Sequence, residues 1–232
     1  LVLLVVFAGC KKKKCEQPEK PVPTSNSPVE YGSTITLSTT AVANATYSWV
    51  GPNGFKSSFQ SPTIENANYS HEGDYSVTIT VGECMSLPGT VKVSLKPLTT
   101  PCNPDKNTGK YASLPTTNYT SVSGGVNMVF NTYEATAATT MENMSIRFGT
   151  SGMPISGIYK IVNSAGTNIA NNEVRITRTV TVMSMTSIFN ASSGNLYVTK
   201  TGNSLSITFC DIEFVTTNTA LNHSGSARIV ID

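Results

Sequence analysis

Between residues 29 and 97, short runs of alternating apolar and hydroxyl side chains each end near Gly, Pro or Asn. The runs are Ser33–Ser38, Thr46–Val50, Asp74–Val81 and Thr90–Leu95. A period of two predicts strands with one buried face. Short strands separated by turn residues at this spacing are typical of an antiparallel β-sandwich. We therefore expect an all-β domain over residues 29–97.

A second series of strand patterns follows a linker at Leu98–Pro101 and predicts a second domain over residues 102–232. The predicted elements are a turn at Ser123–Gly125 and strands at Val126–Thr132, Met144–Phe148, Gly157–Val162, Glu173–Val182, Leu196–Lys200, Ser204–Val215 and Ala227–Ile231. The segment Thr201–Asn203 predicts a hairpin between two of them, and Glu134–Asn143 could form one short helical turn. A second antiparallel β-sandwich or partly open barrel, of about seven or eight strands, fits this series best.

The run Ser204–Val215 changes parity partway along. Its apolar positions are 205, 207 and 209, then 212 and 214. A shift of one residue exchanges the two faces of a strand, so an extra residue must be inserted between these two sets. We predict a β-bulge at Cys210–Asp211.

The chain opens with an apolar run, residues 1–9, that ends at Cys10 and a block of lysines. The run is too short to cross a hydrocarbon core of about 30 Å as a helix. It has the length of the apolar core of a signal peptide, and we expect the natural chain to begin a few residues earlier with a basic segment. The alternative is a buried N-terminal strand that leaves Cys10 as a free thiol.

The run Phe7–Cys10 (FAGC) resembles the lipobox of bacterial lipoproteins, in which small residues precede the cysteine that is lipidated. The resemblance implies that Cys10 carries diacylglycerol and becomes the first mature residue. Phe7 departs from the leucine that is usual at its position. Two or three acyl chains bury enough methylene groups for durable membrane attachment. On this basis we expect a lipid-anchored protein of the cell envelope, at the outer membrane or the cell surface.

Residues 10–28 are expected to form a tether. Lys11–Lys14 could lie against anionic headgroups or form a solvated spacer. Glu16–Pro28 is rich in proline and polar residues, which is typical of an extended linker. Such a tether would hold the folded domains away from the membrane.

Two aromatic residues refine the expectation for residues 29–97. Trp49, the only tryptophan, lies where an immunoglobulin-like sandwich buries its core indole, and Tyr75 lies where the tyrosine corner of that fold belongs. The run Tyr47–Phe55, together with Gly73 and Tyr75, resembles the Ig-like or PKD-like modules of Bacteroidetes-type surface proteins. The resemblance implies a spacer, an adhesive unit or a glycan-facing unit.

Val77 stands where antibody domains have the second cysteine of their intersheet disulfide. We therefore expect the packing of Trp49 to hold this core, and Trp49 to be a core residue rather than a platform for a sugar. Phe55 and Phe59 are the candidates for exposed aromatics, for which ordinary packing is the simpler interpretation. The second domain resembles the small uncharacterised domains that close Bacteroidetes-type lipoproteins, and that resemblance implies no activity.

The charge balance excludes one class of partner. Charged residues make up 13% of the chain, and four of the 16 basic residues are Lys11–Lys14. The folded body therefore has 12 basic against 14 acidic residues. A nucleic-acid-binding domain needs a basic face, so no nucleic-acid partner is expected.

The two histidines, His71 and His223, lie in polar, turn-like stretches. A Ser-His-Asp site would need His223 with Asp211 or Asp232, and no Gly-x-Ser-x-Gly motif supports it. Neither histidine has a second ligand at a metal-binding spacing. We expect both to be surface loop residues, and we expect no catalytic residue, no metal and no cofactor.

Three arginines, Arg147, Arg175 and Arg178, fall on predicted strands. Arg175 and Arg178 differ in parity, so they should face opposite sides of the sheet. We expect these arginines to be solvated rather than to form a clamp for a ligand.

With Cys10 lipidated, four cysteines remain in an oxidising compartment, and four cysteines allow three pairings. Cys84 lies in the loop before the last strand of the predicted Ig-like sandwich, at the end where the chain enters. This makes Cys15–Cys84 a plausible pair, and Cys102–Cys210 would then link two parts of the second domain.

Together these features favour a non-catalytic envelope lipoprotein that presents β-domains for adhesion, glycan binding or assembly with other envelope proteins. The alternative is a glycan-processing or other hydrolytic accessory enzyme with its site in the second domain. A flat hydrophobic edge would favour assembly. A cleft lined by aromatics would favour glycan binding, and the candidates are Tyr111, Tyr119, Tyr133, Tyr159 and Tyr197. Clustered carboxylates would favour catalysis, and the candidates are Glu134, Glu142 and Glu173.

Overall fold

The computed structural model describes residues 16–112, 114–163 and 168–232. The predicted signal peptide 1–9, the lipidation site Cys10 and the lysine block lie outside the described residues. The chain divides into two compact units between Lys96 and Pro97, and both units are built from strands.

The first unit consists of two small sheets. Its strands are β1 (Thr24–Ser25), β2 (Ile35–Ser38), β3 (Ala45–Val50), β4 (Lys56–Ser57), β5 (Thr63–Ile64), β6 (Gly73–Val81), β7 (Cys84–Met85) and β8 (Gly89–Val93), with short 3-10 helices at Pro52–Gly54 and Tyr69–His71. One sheet has the order β1-β2-β5. The other has the order β4-β3-β6, and both β7 and β8 pair with β6. The four strand patterns predicted from the sequence correspond to β2, β3, β6 and β8.

The core of the first unit lies between these sheets and is organised by Trp49 and Tyr75. Trp49 is only 1% exposed and shares a cluster with Ile35 and Leu37 of the opposing sheet. The Tyr75 hydroxyl donates to the carbonyl oxygen of His71 at 2.9 Å, which is the bond of a tyrosine corner. The predicted Ig-like sandwich and the core position of Trp49 are therefore confirmed.

The glycine after β3 has a steric role in this core. A Cβ atom on Gly51 would lie 2.4 Å from the ring of Tyr75. Phe55 packs edge-on against the same ring, with centroids 5.4 Å apart. Phe55 thus belongs to the packing of the corner, whereas Phe59 is largely exposed.

Part of the predicted tether belongs to the first unit. Strand β1 pairs with β2, and Pro21 and Pro23 are buried. Pro21 lies so close to β8 that a Cβ atom on Gly89 would be 2.0 Å from its carbonyl oxygen. Residues 21–28 therefore pack on the sandwich, because their prolines fill space beside it.

The second unit has a single sheet of eleven strands. They are β9 (Thr108–Tyr111), β10 (Thr117–Asn118), β11 (Ser121–Asn127), β12 (Thr132–Ala138), β13 (Glu142–Phe148), β14 (Gly157–Val162), β15 (Glu173–Val182), β16 (Met185–Ala191), β17 (Ser193–Thr201), β18 (Ser204–Val215) and β19 (His223–Ile231), with a short 3-10 helix at Thr219–Leu221. The order is β10-β9-β19-β18-β17-β14-β15-β13-β12-β11, and β16 pairs with both β15 and β18. All pairs are antiparallel except β14 with β15.

Strand β18 changes its neighbour at a β-bulge. Its first half pairs with β17, and its last two residues pair with β16. The register with β19 shifts between Phe209 and Ile212, and Asp211 has a φ of 52°. The predicted bulge at Cys210–Asp211 is therefore confirmed. A strand that changes partner at a bulge turns a corner of the sheet, so the eleven strands curl around one core.

Three predicted elements of the second unit are wrong. Val126–Thr132 is the end of β11, a turn and the first residue of β12, and the predicted turn Ser123–Gly125 lies inside β11. Gly124 fits a strand because a Cβ atom at this position would lie 2.3 Å from the hydroxyl oxygen of Tyr133.

Most of Glu134–Asn143 is strand rather than helical turn, since alternate residues of β12 face the core. Eleven strands are present where about seven or eight were expected.

A disulfide joins Cys102, which precedes β9, to Cys210 at the bulge. This is the pair predicted for the second domain. Cys84 is also disulfide-bonded, and its predicted partner Cys15 lies outside the described residues.

We expect the double substitution Cys102→Ser/Cys210→Ser to lower the free energy of unfolding of the second unit by about 4 kcal/mol, because the bridge closes a loop of more than a hundred residues. The sequence separation of the two cysteines is 108. Urea unfolding followed by near-UV circular dichroism measures this loss. Fluorescence of Trp49, the only tryptophan, reports the first unit and should keep its midpoint. An unchanged midpoint for the second unit would contradict the prediction.

Candidate binding cleft

A buried ion pair lies in the core of the second unit. Glu142 is the first residue of β13, and Arg178 lies on the neighbouring strand β15. Arg178 Nε donates to Glu142 Oε1 and Arg178 Nη2 donates to Glu142 Oε2, both at 2.8 Å. Arg178 is 3% exposed and Glu142 is 7% exposed. The pair is therefore bidentate and almost fully removed from water.

Two phenols extend the network from Glu142. The Tyr119 hydroxyl donates to Glu142 Oε1 at 2.8 Å, and the Tyr111 and Tyr119 oxygens are 2.5 Å apart. Burial raises the pKa of both phenols, and the charge of Glu142 raises them further. Both phenols remain protonated, so Tyr111 donates to Tyr119 and Tyr119 donates to the carboxylate. Both oxygens of Glu142 thus accept hydrogen bonds.

His223 continues the network on the other side of Arg178. Its Nδ1 lies 2.9 Å from the carbonyl oxygen of Leu221, and its Nε2 lies 3.0 Å from Arg178 Nη1. A carbonyl oxygen can only accept, so Nδ1 carries the proton and Nε2 accepts from the guanidinium. The ring stacks on Phe214, with centroids 5.8 Å apart, and the guanidinium lies 3.9 Å from the ring centroid of Tyr111. Each polar group here has a partner.

A cleft of about 310 Å³ opens next to this network. We call it the apolar cleft. Its apolar lining residues are Leu114, Val180, Val182, Met185, Phe189 and Leu221. Arg178, Ser187 and His223 are its polar lining residues. Its volume and composition suit a small binding pocket, with a few polar groups in an apolar wall.

Exposed apolar side chains surround the mouth of this cleft. Met185 is 74% exposed, and Leu114, Val182 and Leu221 are about half exposed. Two further exposed methionines lie beside β15, since Thr181 N donates to the Met141 carbonyl at 2.8 Å and Met183 follows β15 directly. We call Leu114, Met141, Val182, Met183, Met185 and Leu221 the apolar rim. Large exposed apolar side chains around a cleft are typical of binding sites.

The residues proposed for a Ser-His-Asp site do not come together. Asp232 accepts from Lys106 at 2.5 Å and from Ser204 at 3.0 Å. Asp211 lies at the bulge, where its backbone N donates to a serine hydroxyl. The expectation that His223 is a surface loop residue is wrong. His223 begins β19 and joins the buried network.

His71 has a structural role in the first unit. It ends the 3-10 helix Tyr69–His71, and its Nδ1 accepts from the backbone N of Asn68 at 3.2 Å. Its carbonyl oxygen accepts the tyrosine-corner bond from Tyr75. The expected surface loop is therefore a capped turn that supports the sandwich.

The expected solvation of Arg178 is wrong. Arg175 and Arg178 differ in parity, as predicted. Arg178 is the one that faces the core, together with Val174 and Ile176. Arg147 is also partly buried, and its guanidinium lies 4.0 Å from the ring centroid of Phe130. The signal for a buried arginine was present in the sequence, because Arg178 shares the parity of the apolar set on its strand.

The candidate carboxylates have separate partners. Glu134 accepts from Ser145 and Asn127, and its pKa lies below the usual range because these bonds and the charge of Arg147 outweigh desolvation, which raises it. Glu173 accepts from the backbone N of Ala170 at 3.2 Å. With Glu142 held by Arg178, the three carboxylates form no cluster.

The candidate tyrosines do not line a common cleft. Tyr111, Tyr119, Tyr133 and Tyr159 are buried in the core. Tyr197 is half-buried and borders a separate, more polar depression of about 580 Å³ beside the Cys102–Cys210 disulfide. The aromatic arrangement that would favour glycan binding is therefore not formed by these side chains.

Residues 16–112, 114–163 and 168–232 contain no group of three His, Cys, Asp or Glu side chains that could hold a metal ion. In the same part of the chain, no helix has the length and apolar character needed to span a membrane.

We expect Glu142→Gln to lower the free energy of unfolding of the second unit by about 3 to 5 kcal/mol, because it leaves the buried charge of Arg178 uncompensated. Near-UV circular dichroism in urea measures this loss. Asp232→Asn is the matched control, since its ion pair with Lys106 is exposed and should contribute little. Equal losses for the two variants would show that the buried pair is not what holds this region.

No family model matches the chain, and no curated protein matches it. Among solved structures, the chain resembles the crystal structure of Dpr2 Ig1-Ig2 in complex with DIP-Theta Ig1-Ig3, at 13% sequence identity and a TM-score of 0.24. The match covers 90% of this chain and 64% of the other, so the chain spans less than two thirds of that neighbour's length. We base the Ig-like description on the two sheets, Trp49 and the tyrosine corner.

Proposed function

We propose that the protein is a non-catalytic, lipid-anchored protein of the bacterial cell envelope whose second unit binds another protein at the apolar cleft. The observation that carries this proposal is the apolar cleft with its exposed apolar rim. Large exposed apolar side chains around a pocket are typical of protein interfaces, in which one anchor side chain fills the pocket and the rim excludes water. Assembly is therefore favoured over glycan capture.

The chemistry of the cleft supports binding rather than hydrolysis. Ser187 and His223 both line it, but both ring nitrogens of His223 already have hydrogen-bond partners. A general base for a serine nucleophile needs a free ring nitrogen within hydrogen-bond reach. Glu142, the carboxylate of the buried network, accepts hydrogen bonds from Arg178 at both of its oxygens.

The N-terminal pattern supports the membrane anchor. Phe7–Cys10 resembles a lipobox, and Lys11–Lys14 would lie next to the headgroups. Residues 21–28, the last part of the predicted tether, pack on the first unit. The resemblance to Ig-like modules of Bacteroidetes-type surface proteins is consistent with this placement.

We expect the protein expressed with its native N-terminus to gain the mass of a diacylglycerol group at Cys10 and to partition into detergent. Cys10→Ser should remain unmodified and stay in the aqueous phase. Intact-mass spectrometry and detergent partitioning measure both properties. A wild-type protein that stays water-soluble and unmodified would overturn the proposed anchor.

We expect an apolar, environment-sensitive fluorophore to bind the apolar cleft, and Met185→Glu to weaken that binding about tenfold, because a carboxylate at the mouth must be desolvated when the dye enters. Fluorescence titration of dilute protein measures the Kd. Phe59→Glu is the matched control, since Phe59 is as exposed as Met185 but lies on the first unit. No binding, or equal binding by both variants, would contradict a binding function for this cleft.

A further inference from the structure

His223 is held by hydrogen bonds at both ring nitrogens, and these bonds require a neutral imidazole. Nδ1 lies 2.9 Å from the carbonyl oxygen of Leu221, which accepts, so Nδ1 carries a proton. Nε2 lies 3.0 Å from Arg178 Nη1, which always carries protons, so Nε2 accepts. A protonated ring has a donor at both nitrogens. The contact with Arg178 therefore exists only while His223 is uncharged.

The chain has two histidines, and the other one has the opposite arrangement. Nδ1 of His71 accepts from the backbone N of Asn68 at 3.2 Å, so the proton of the neutral ring lies on Nε2. His71 ends the 3-10 helix Tyr69–His71 of the first unit. It is thus an internal reference for His223, because its ring accepts from a main-chain amide and not from a cation.

The charged and titratable groups that face His223 come from β15, β13 and β9. Arg178 of β15 contacts Nε2, and the charge of Arg178 is matched by Glu142 of β13. Tyr111 of β9 meets the imidazole edge-on, with ring centroids 6.0 Å apart. Burial raises the pKa of this phenol, so it stays uncharged. The 3-10 helix Thr219–Leu221, which provides the carbonyl for Nδ1, contains no titratable side chain.

Two apolar rings, from β16 and β18, also contact His223. The ring centroids of Phe189 and Phe214 lie 4.9 Å and 5.8 Å from that of the imidazole. Aromatic faces attract a cation, so these rings alone would favour a protonated imidazole. The guanidinium of Arg178 has the opposite effect and is the stronger one, because two like charges in contact repel several times more strongly in a buried site than in water. The balance is against protonation of the folded network.

The imidazole is reached from the apolar cleft, whose wall it shares with Arg178. A proton can therefore arrive without unfolding of the second unit. Among the described residues that line the cleft there is no Asp or Glu. A protonated His223 would add a positive charge to an apolar wall that holds no carboxylate, and an apolar ligand would have to desolvate that charge on entry.

We propose that His223 makes the apolar cleft acid-sensitive. When the imidazole takes up a proton, Nε2 becomes a donor that faces a donor, the contact with Arg178 breaks, and the cleft loses affinity for apolar groups. Imidazoles exchange their proton between about pH 5 and 8, so mild acid is sufficient. For its effect on binding this inference rests on the proposed function, whereas its effect on stability does not.

The effect on stability has a definite sign. The unfolded chain takes up the proton that the folded network excludes, so the unfolded state binds more protons and stability is lost as the pH falls. A single proton limits this loss to about tenfold in the folding equilibrium constant for each pH unit. The first unit does not share this network and should not show the loss.

The test uses the full chain with Cys10→Ser, so that no lipid group or detergent takes up the dye, and two variants in that background. They are His223→Gln, whose amide oxygen accepts from Arg178 and does not titrate, and the matched control His71→Gln. Near-UV circular dichroism checks that each variant keeps its fold. Titration with Nile red, an uncharged apolar fluorophore, gives the Kd at about pH 7.5 and about pH 5.5, where ordinary carboxylates are ionised.

We expect the Kd of the parent chain and of His71→Gln to rise at least about tenfold on acidification, and the Kd of His223→Gln to stay constant. Urea unfolding followed by near-UV circular dichroism should show the same pattern in the midpoint of the second unit. A parent chain with equal Kd and midpoint at both pH values would overturn the proposal. So would a His223→Gln variant with the pH dependence of the parent.

A measurement on the parent chain covers the case in which His223→Gln does not fold. Two-bond 1H–15N NMR of the imidazole rings distinguishes the two tautomers, and we expect opposite tautomers for His71 and His223 at about pH 7.5. On acidification the Arg178 Nε signal should shift together with the ring of His223. Identical tautomers, or an Arg178 signal that ignores the protonation of His223, would contradict the proposal.

The two readouts separate this proposal from the function on which it rests. If Nile red does not bind at about pH 7.5 but the second unit loses stability on acidification as predicted, the binding function fails and the acid sensitivity of the network is confirmed. If the dye binds equally well at both pH values, the binding function stands and the acid sensitivity of the cleft is wrong.

Discussion

The arrangement of the second unit depends on the bidentate pair between Glu142 and Arg178. Two charges taken out of water cost several kcal/mol each, and their mutual attraction offsets this only when the remaining donors and acceptors also have partners. Here Tyr119 occupies the carboxylate and His223 occupies the guanidinium. The pair thereby fixes side chains from β9, β13, β15 and β19 in one geometry. The wall of the apolar cleft follows from that geometry.

The same pair limits the polar chemistry that the cleft offers. Its charges are matched internally, and the imidazole beside it is held by both nitrogens. The side chains that the polar network contributes to the cleft wall, Arg178 and His223, therefore already have hydrogen-bond partners. An apolar wall of this kind suits the binding role that we propose for the cleft.

Local patterns predicted the strands well where one face is buried. Gly157–Val162, Glu173–Val182 and Ser204–Val215 were predicted with the bounds that the structure has. The failures have causes that the local pattern does not contain. Gly124 is inside β11 because the Tyr133 hydroxyl needs its space. The turn after β11 resembles a strand pattern because Met128, Val129 and Phe130 are apolar without being buried.

The candidate site was predictable only in part. Arg178 shares the parity of Val174 and Ile176, and Glu142 shares that of Met144, so each charge could have been placed inward. Their pairing could not, because it depends on the register between β13 and β15, which are separated by β14 in the chain. The cleft itself needs β16 to bridge two strands, and no local pattern encodes that bridge.

The disulfide at the bulge determines how the second unit bears mechanical load. Tension passed along the backbone from the first unit reaches Cys102 before it reaches β9, and from there it passes through a covalent bond to Cys210. The load therefore enters the sheet at β18, an interior strand with neighbours on both sides. The load therefore does not peel β9 and β10 from the end of the sheet. Separating strands one after another from an end is the easiest way to unfold a β-sheet.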